Sequence, residues 1–160
     1  MGPILQSLWS RLPAAKVLRT LRFWPPYLGA GIRVDEVDEN LTRIQVSMKL
    51  TGRNTNVVGT HFGGSLYSMC DPWFMFMLMR GLGDRYIVWD QAAEIHFIKP
   101  GKGTVRAVFE LDPAECVRVK ELAKDGSRQN PIYEAEIIDE AGDVVARVKK
   151  TLYVRRKRDS

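Results

Sequence analysis

Six stretches of the chain alternate hydrophobic and polar residues, which is the pattern of a strand with one face in a core and the other in solvent. These stretches are residues 32–37, 41–50, 86–98, 104–111, 132–138 and 144–154. The first two and the last two are separated by short polar turns, so each pair predicts a β-hairpin. The sequence therefore predicts an antiparallel sheet of about six strands.

Residues 63–82 are apolar on nearly every side and predict a buried helix about 30 Å long. Asp71 and Pro72 interrupt it, and a proline inside a helix removes a backbone hydrogen bond and kinks the helix. A shorter helix is predicted over residues 113–124, with Asp112 as its N-cap. A single buried helix needs a sheet that curves around it, which gives an α+β domain. Because such a sheet has open edges, we expect the chain to dimerise.

Residues 1–24 place leucine or alanine at steps of three and four, which predicts one or two amphipathic helices with a break near Pro13. This segment either packs against the fold or a sister subunit, or lies as a basic strip on an anionic membrane. The expected organisation is an N-terminal helical extension at residues 1–28, one domain at residues 29–155 and a basic tail at residues 156–160.

The chain contains 24 Lys and Arg against 19 Asp and Glu, which gives a net charge of +5. The excess lies at the ends. Residues 1–24 hold four basic residues and no acid, and residues 155–160 hold four basic residues and one acid, which leaves −2 for residues 25–154. A nucleic-acid-binding protein usually carries a basic face across its fold. We therefore expect no nucleic-acid partner.

With 45% hydrophobic residues and no apolar run long enough to span a bilayer, the sequence is typical of one globular domain. Its two cysteines, Cys70 and Cys116, and its two histidines, His61 and His96, match no metal-binding spacing. We therefore expect a cytoplasmic protein without a metal site. A nucleophilic role for Cys70 is disfavoured, because no histidine is close to it in the sequence.

Two features of the predicted central helix could carry chemistry. Gly63 and Gly64 open the helix, where backbone N–H groups lack intrahelical partners and could polarise a carbonyl oxygen. Alternatively, these glycines allow close packing of the helix on the sheet. Asp71 either caps a restarted helix or, partly desolvated among apolar neighbours, acts as a general base.

The motifs HFGGSLYSMCD at residues 61–71 and EIHFIKPGKG at residues 94–103 together resemble the hotdog-fold acyl-CoA thioesterases. The similarity is greatest to the phenylacetate-pathway type and to a branch of hotdog thioesterases without an assigned function, and it covers about residues 32–154. In the phenylacetate type a histidine directly precedes the two glycines. Here Phe62 takes that place, and His61 lies one residue earlier.

The resemblance implies a hotdog fold with a site between two protomers of a dimer or of a dimer of dimers. It also implies hydrolysis of an acyl-CoA or acyl-carrier thioester, with coenzyme A entering as part of the substrate and no separate cofactor. Asp71 would be the general base or nucleophile. The N–H groups of Gly63 and Gly64 would polarise the thioester carbonyl.

Several other residues are candidates for supporting roles. Asn56 and His61 precede the predicted helix and could orient water or hold the thioester, although both could simply shape the loop. The candidates for contacts with the acyl group and with the phosphates of coenzyme A are Phe62, Ser65, Met75, Lys99 and Lys102. Asp90 and Glu94 alternate with Ile95 and are expected on the opposite face of their strand, in solvent or at an interface.

Two other functions are compatible with the same sequence. The first is a hotdog protein that binds acyl groups or acyl-CoA without turnover. The second is an adaptor that contacts a membrane through its N-terminal helix. A dehydratase of the same fold is disfavoured, because the chain lacks the paired histidine and acid motif with which those enzymes open the central helix.

Overall fold

A computed structural model describes residues 14–158 of the chain. The helices are α1 (Ala14–Thr20), α2 (Pro25–Ala30), α3 (Gly63–Ser68), α4 (Trp73–Leu82) and α5 (Pro113–Leu122), with a 3-10 helix at Leu21–Phe23. The strands are β1 (Ile32–Val37), β2 (Arg43–Lys49), β3 (Tyr86–Phe97), β4 (Thr104–Glu110), β5 (Ile132–Ile138) and β6 (Val144–Arg156). Each predicted strand is therefore present. Within residues 14–158, no helix is long and apolar enough to cross a membrane.

The strands form one antiparallel sheet in the order β1-β2-β4-β5-β6-β3. β1 pairs with β2 and β5 pairs with β6, which confirms the two predicted hairpins. β3 follows the central helices and lies at the far edge of the sheet, where it pairs with β6. The sheet curves around α3 and α4, so the predicted α+β class, with a sheet wrapped around a buried helical segment, is confirmed.

The central helical segment is divided into two helices, whereas the sequence predicts one kinked helix over residues 63–82. α3 ends at Ser68, and α4 begins at Trp73 after Pro72. Pro72 has no backbone N–H to donate, so the hydrogen-bond ladder of α3 cannot continue through it. The carbonyl of Pro72 accepts the N–H of Phe76 and starts the second ladder. This break places Asp71 between two helices rather than inside one.

The alternative interpretation of Asp71 as an N-cap is wrong. The N-cap position of α4 is Pro72, which makes no side-chain capping hydrogen bond. At α5, by contrast, the predicted cap is confirmed, because the Asp112 carboxylate accepts the N–H of Ala114 at 2.8 Å. The Asp71 side chain makes its contacts elsewhere in the fold.

A register shift in β3 changes which of its residues face the core. Asp90 pairs with Leu152 of β6, whereas Ala92 pairs with Thr151, the adjacent residue of β6. Gln91 is therefore an extra residue, as in a β-bulge, and the alternation of faces reverses there. Asp90 shares a face with the buried Leu152. The expectation that Asp90 lies on the face opposite Ile95 is wrong for this reason.

The N-terminal helices pack beside β1. They bury the side chains of Val17, Leu18, Leu21 and Tyr27. For the described residues, this agrees with the interpretation that the N-terminal segment packs against the fold. The predicted break at Pro13 and the rest of residues 1–13 lie outside the described residues. At the other end, β6 extends to Arg156, so the predicted basic tail begins within the strand.

Asn54 connects α2 and β2 to the loop that leads into α3. Its side chain is buried, and its amide donates to the carbonyl oxygens of Ala30 at 2.8 Å and Lys49 at 2.9 Å. Its side-chain oxygen, Oδ1, accepts the backbone N–H of Thr51 at 2.7 Å. An unpaired polar group in the protein interior costs free energy, so the buried Asn54 side chain depends on all three of these hydrogen bonds. Asn54 thus fixes the path of the chain toward α3.

We expect Asn54→Ala to lower the free energy of unfolding by about 2–4 kcal/mol, because the carbonyl oxygens of Ala30 and Lys49 lose their donor. Urea titration followed by circular dichroism measures this change. Asn40→Ala, at an exposed position in the β1–β2 turn, is the matched control and should change the value by less than about 0.5 kcal/mol. Equal stability of the two variants would contradict the role given to Asn54.

Candidate active site

A buried lysine holds the carboxylate of Asp71. Lys150 lies on the core face of β6 between Val148 and Leu152, and only 1% of its side chain is exposed. Its Nζ donates a hydrogen bond to Oδ1 of Asp71 at 2.7 Å. A buried cation without a counter-charge is very costly. Asp71 supplies this counter-charge, so the Lys150 side chain can occupy the core face of β6.

Two further groups surround the Lys150 ammonium. It donates to the hydroxyl of Tyr67 at 3.2 Å and lies 3.2 Å from Oδ1 of Asp90. Lys150 Nζ and Asp90 Oδ1 form an ion pair, but their geometry is not that of a hydrogen bond. Asp90 Oδ1 is buried and has no hydrogen-bond partner among the described residues. Asp90 is the more enclosed acid, with 22% of its side chain exposed against 40% for Asp71. No group of three or more His, Cys, Asp or Glu side chains within residues 14–158 could hold a metal ion.

Asp71, Asp90 and Lys150 form a cluster with two carboxylates and one ammonium group. The excess of negative charge affects the pKa values of its members. Burial, and then the neighbouring Asp71 carboxyl, raise the pKa of Asp90 to about 6, while Lys150 opposes part of this increase. Burial acts to lower the pKa of Lys150, but its contacts with the two carboxylates outweigh burial and hold that pKa above its usual value. Lys150 is therefore charged at neutral pH, and Asp90 exchanges its proton in slightly acidic solution.

The backbone of Asp71 is held by Tyr27 of α2. The buried Tyr27 hydroxyl donates a hydrogen bond to the carbonyl oxygen of Asp71. Burial, and then the charge of Asp71, raise the pKa of this hydroxyl well above its usual value, so it remains a donor at neutral pH. Asp71 is thus fixed through its backbone by the N-terminal helices and through its side chain by β6.

A cleft beside the cluster opens at the edge of the sheet. It has a volume of about 440 Å³ and is lined by Tyr67, Asp90, Gln91, Ala92, Ala93 and Ile95. All of these except Tyr67 belong to the edge strand β3. Asp90 and Tyr67 are therefore reached from this edge, whereas Asp71 and Lys150 are not among the described residues that line the cleft.

The two glycines at the start of α3 lie against aromatic rings. A Cβ at Gly63 would lie 2.8 Å from the Phe97 ring, and a Cβ at Gly64 would collide with the Phe62 ring. Both contacts are with side-chain ring atoms, and Phe62 and Phe97 are 55% and 56% exposed, so either ring has room to move away from a Cβ. The N–H groups of Gly63 and Gly64 belong to the first turn of the helix, where such groups have no intrahelical partner. A role in polarising a carbonyl group stays a prediction.

His61 and Asn56 hold the loop that precedes α3. The buried His61 ring donates from Nε2 to the carbonyl oxygen of Gly103 at 3.1 Å, and burial lowers its pKa. Asn56 donates to Thr60 and to the carbonyl of His61, and it accepts two backbone N–H bonds from its own loop. Within the described residues, neither side chain forms a hydrogen bond with Asp71. Their catalytic roles stay predictions, and their observed contacts are structural.

The five residues predicted to contact substrate differ in burial. Phe62 and Lys102 are exposed, Met75 and Lys99 are partly buried, and Ser65 is buried. Lys99 forms ion pairs with Asp139 at 2.7 Å and with Asp143 at 2.6 Å. Its charge is therefore already balanced within the chain. For Lys102 an exposed position is compatible with the predicted contact with phosphate.

Sequence reasoning missed the roles of Lys150, Asp90 and Tyr67. A signal existed for Lys150, because it occupies a core-facing position in the alternation of β6, where a lysine needs a counter-charge. The sequence offered no comparable signal for Asp90, because the bulge at Gln91 reverses the alternation on which its assignment depended. Tyr67 lies in the apolar central segment and shows no distinguishing pattern.

We expect Asp90→Asn to stabilise the fold at pH 8 by about 1–3 kcal/mol and to have little effect near pH 4. The folded-state pKa of Asp90 is about 6, above the unfolded value of about 3.9, so the folded state binds this proton more tightly. The contribution of Asp90 to the free energy of unfolding therefore falls as pH rises from about 4 to about 6. Urea titration at several pH values measures the effect.

The control is Asp84→Asn, which removes one negative charge from an exposed turn and should stay within about 0.5 kcal/mol of wild type at each pH. If Asp90→Asn lowered stability at pH 8, the Asp90 carboxylate would stabilise the fold through its ion pair with Lys150. Our prediction that burial of this charge destabilises the fold would then be wrong.

The architecture matches solved structures. A protein of unknown function from Pseudomonas aeruginosa, described as a "Probable Thioesterase", has a TM-score of 0.78 at 21% identity, covering 91% of this chain and 97% of that one. A protein of unknown function from Chlorobaculum tepidum has a TM-score of 0.71 at 18% identity, covering 91% and 95%. A thioesterase from Haemophilus influenzae has a TM-score of 0.65 at 15% identity, covering 95% and 97%. At these identities the likeness establishes the fold, and the predicted hotdog fold is confirmed.

Comparison of the sequence with curated proteins finds no match. One family model matches residues 15–154, a span that includes both acids of the cluster and Lys150. Because this match covers most of the chain, the protein belongs to the family described as "Domain of unknown function (DUF4442)".

Proposed function

We propose that the protein hydrolyses the thioester of an acyl-CoA or of an acyl carrier. The observation that carries this proposal is the Asp71 carboxylate, which is fixed by buried Lys150 and is still two-fifths exposed. A general base has to be held in a defined position and has to be reachable by water, and Asp71 meets both conditions. The thioesterases among the structural relatives support this reaction class.

The proposed reaction uses the two oxygens of Asp71 differently. Lys150 binds Oδ1, which leaves Oδ2 to accept a proton from water as the water oxygen attacks the thioester carbonyl carbon. Negative charge then develops on the carbonyl oxygen, and backbone N–H groups would stabilise it. When the tetrahedral intermediate collapses, the carbon–sulfur bond breaks, and the departing thiolate takes up the proton that Asp71 accepted, which restores the Asp71 carboxylate. If Asp71 acts as a nucleophile instead, its carboxylate oxygen attacks the thioester carbonyl carbon, the carbon–sulfur bond breaks and the thiolate leaves. Water then hydrolyses the acyl anhydride to the free acid and the Asp71 carboxylate.

Gly63 and Gly64 are the proposed N–H donors. Their N–H groups lie at the start of α3, the positive end of the helix backbone. In the arrangement we propose, Asp71 of one copy faces the start of α3 of its mate. The exposed rings of Phe62 and Phe97, which border the glycines, would then provide an apolar surface for the acyl group.

The β3 edge supports pairing of two copies. β3 has 12 residues, and residues 91–94 within it are exposed. A long exposed edge strand presents N–H and C=O groups that another strand can bind. Pairing of β3 with β3 of a second copy would cover these groups and enclose the cleft beside Asp90. Coenzyme A would enter this site as part of the substrate.

One observation favours a second function, acyl or acyl-CoA binding without hydrolysis. Lys150 is buried, and a buried lysine requires a counter-charge whether or not any reaction takes place. The need to neutralise Lys150 is therefore enough to explain an acid at position 71, without any catalytic role. The two functions differ in one measurement, the release of thiol from an acyl-CoA.

We expect Asp71→Asn to reduce thioester hydrolysis by about 10²-fold or more, the usual scale for loss of a general base. Asparagine keeps the size of the side chain and can still accept a hydrogen bond from Lys150, but it does not take up a proton. Thiol release from a panel of acyl-CoAs measures the rate. Because the variant removes one of the two counter-charges of buried Lys150, we expect it to be less stable than wild type. A melting temperature well above the assay temperature shows that the fold is retained. Asp84→Asn is the charge-matched control and should keep the wild-type rate.

Wild-type turnover by Asp71→Asn would remove Asp71 from the reaction. If wild-type protein binds acyl-CoAs from the panel but releases thiol from none of them, the binding function replaces hydrolysis.

We expect micromolar protein to sediment as a dimer or a dimer of dimers of the 18.2 kDa chain. Ala92→Arg, in the exposed part of β3, should shift the protein toward monomer and reduce turnover, because it places a bulky charge at the paired edge. Ala141→Arg, in the exposed β5–β6 turn, should do neither. A wild-type species of 18.2 kDa would contradict a site formed between protomers.

A further inference from the structure

A large groove borders β1, the edge strand at the opposite end of the strand order from β3. It has a volume of about 890 Å³ and lies between the N-terminal helices, β1 and the residues that follow β2. The side chains that determine its chemistry are Arg22, Phe23, Leu28, Arg33, Lys49 and Arg53. No residue of the Asp71 cluster or of its cleft is among the described residues that line this groove, so it is a separate site.

The groove has an excess of positive charge. Its four basic side chains face one carboxylate among the described lining residues, that of Asp35. Within residues 14–158, none of these four forms an ion pair with a carboxylate. Basic residues that do form such pairs elsewhere are Arg43, Lys99, Arg118, Lys124, Arg147 and Lys150. Arg33, Lys49 and Arg53 belong to residues 25–154, which carry a net charge of −2, so their excess of positive charge is local to the groove. Arg22 comes from the basic N-terminal segment.

The groove also presents apolar surface. Phe23 and Leu28 are 62% and 51% exposed, whereas Tyr27 and Ile32, which also line the groove, are buried. The guanidinium of Arg22 lies 4.6 Å from the centre of the Phe23 ring, so cationic and aromatic groups are in direct contact. Exposed apolar side chains beside unpaired cations favour a ligand with both an apolar and an anionic part.

We propose that this groove binds an organic phosphate that carries an aromatic or aliphatic group. Arginine guanidinium groups bind phosphate oxygens in a bidentate geometry, and three of the four cations in the groove are arginines. The Phe23 ring offers a face for stacking, and Leu28 offers an aliphatic contact. Pockets for small organic ligands have volumes of about 300–1,000 Å³, a range that includes this groove. The site goes beyond the proposed thioester hydrolysis and does not depend on it.

Two probes distinguish the sources of such a phosphate. 3′,5′-Adenosine bisphosphate supplies a soluble aromatic phosphate, and its binding is measured by isothermal titration calorimetry. Phosphatidylglycerol in phosphatidylcholine vesicles supplies a lipid phosphate, and its binding is measured by flotation. The controls are inorganic phosphate for the first probe and pure phosphatidylcholine vesicles for the second. We expect at least one probe to bind better than its control and to bind more weakly as the salt concentration rises.

The double variant Arg33→Gln/Arg53→Gln should weaken that binding by about tenfold or more, because it removes two charge-assisted contacts. Arg80→Gln/Arg106→Gln removes the same charge from exposed positions outside the groove and should bind as wild type does. Phe23→Ala keeps every charge and should also weaken binding. The proposal is overturned if neither probe binds better than its control, or if both double variants bind equally well.

Discussion

The ion pair between Lys150 and Asp71 is the interaction on which the rest of the site depends. A lysine on the core face of β6 is costly unless a carboxylate meets its ammonium group, because both charges lose their hydration. Asp71 makes this contact at 2.7 Å, and Asp90 adds a second negative charge at 3.2 Å. The same contact fixes the carboxylate that we propose as the base. The same pair of side chains therefore neutralises a buried lysine and sets the geometry of the site.

Two irregularities in the secondary structure bring the cluster together. Pro72 divides the central helical segment and places Asp71 between two helices, where its carboxylate reaches β6. The bulge at Gln91 directs Asp90 to the core face of β3. With a regular strand in this position, Asp90 would face the other side of the sheet. Such irregularities are frequent beside functional sites, because they redirect single side chains without changing the rest of an element.

The two edges of the sheet differ in their chemistry. The β3 edge presents small residues and Asp90, and its open backbone favours a second copy of the chain. The β1 edge borders a groove with exposed apolar side chains and with four cations that form no ion pair within residues 14–158. The N-terminal helices contribute to both regions, because Tyr27 is among the residues that line the groove and its hydroxyl donates a hydrogen bond to the Asp71 carbonyl oxygen. One helical segment therefore supports the proposed active site and forms a wall of the second site.

The sequence by itself determined the six strands, the two hairpins, the capped helix α5, the apolar central segment and its interruption at Asp71 and Pro72. These features follow from local patterns, since alternation, capping residues and a proline in an apolar run act over a few neighbouring residues. Only the tertiary structure decided the partner of Asp71, the face of Asp90 and the role of His61 in holding its loop. Lys150 is 79 residues from Asp71 along the chain. The contact between Asp71 and Lys150 depends on the order of the strands, and the contact of Asp90 with Lys150 depends on the bulge at Gln91. Neither feature is set by the residues next to these side chains.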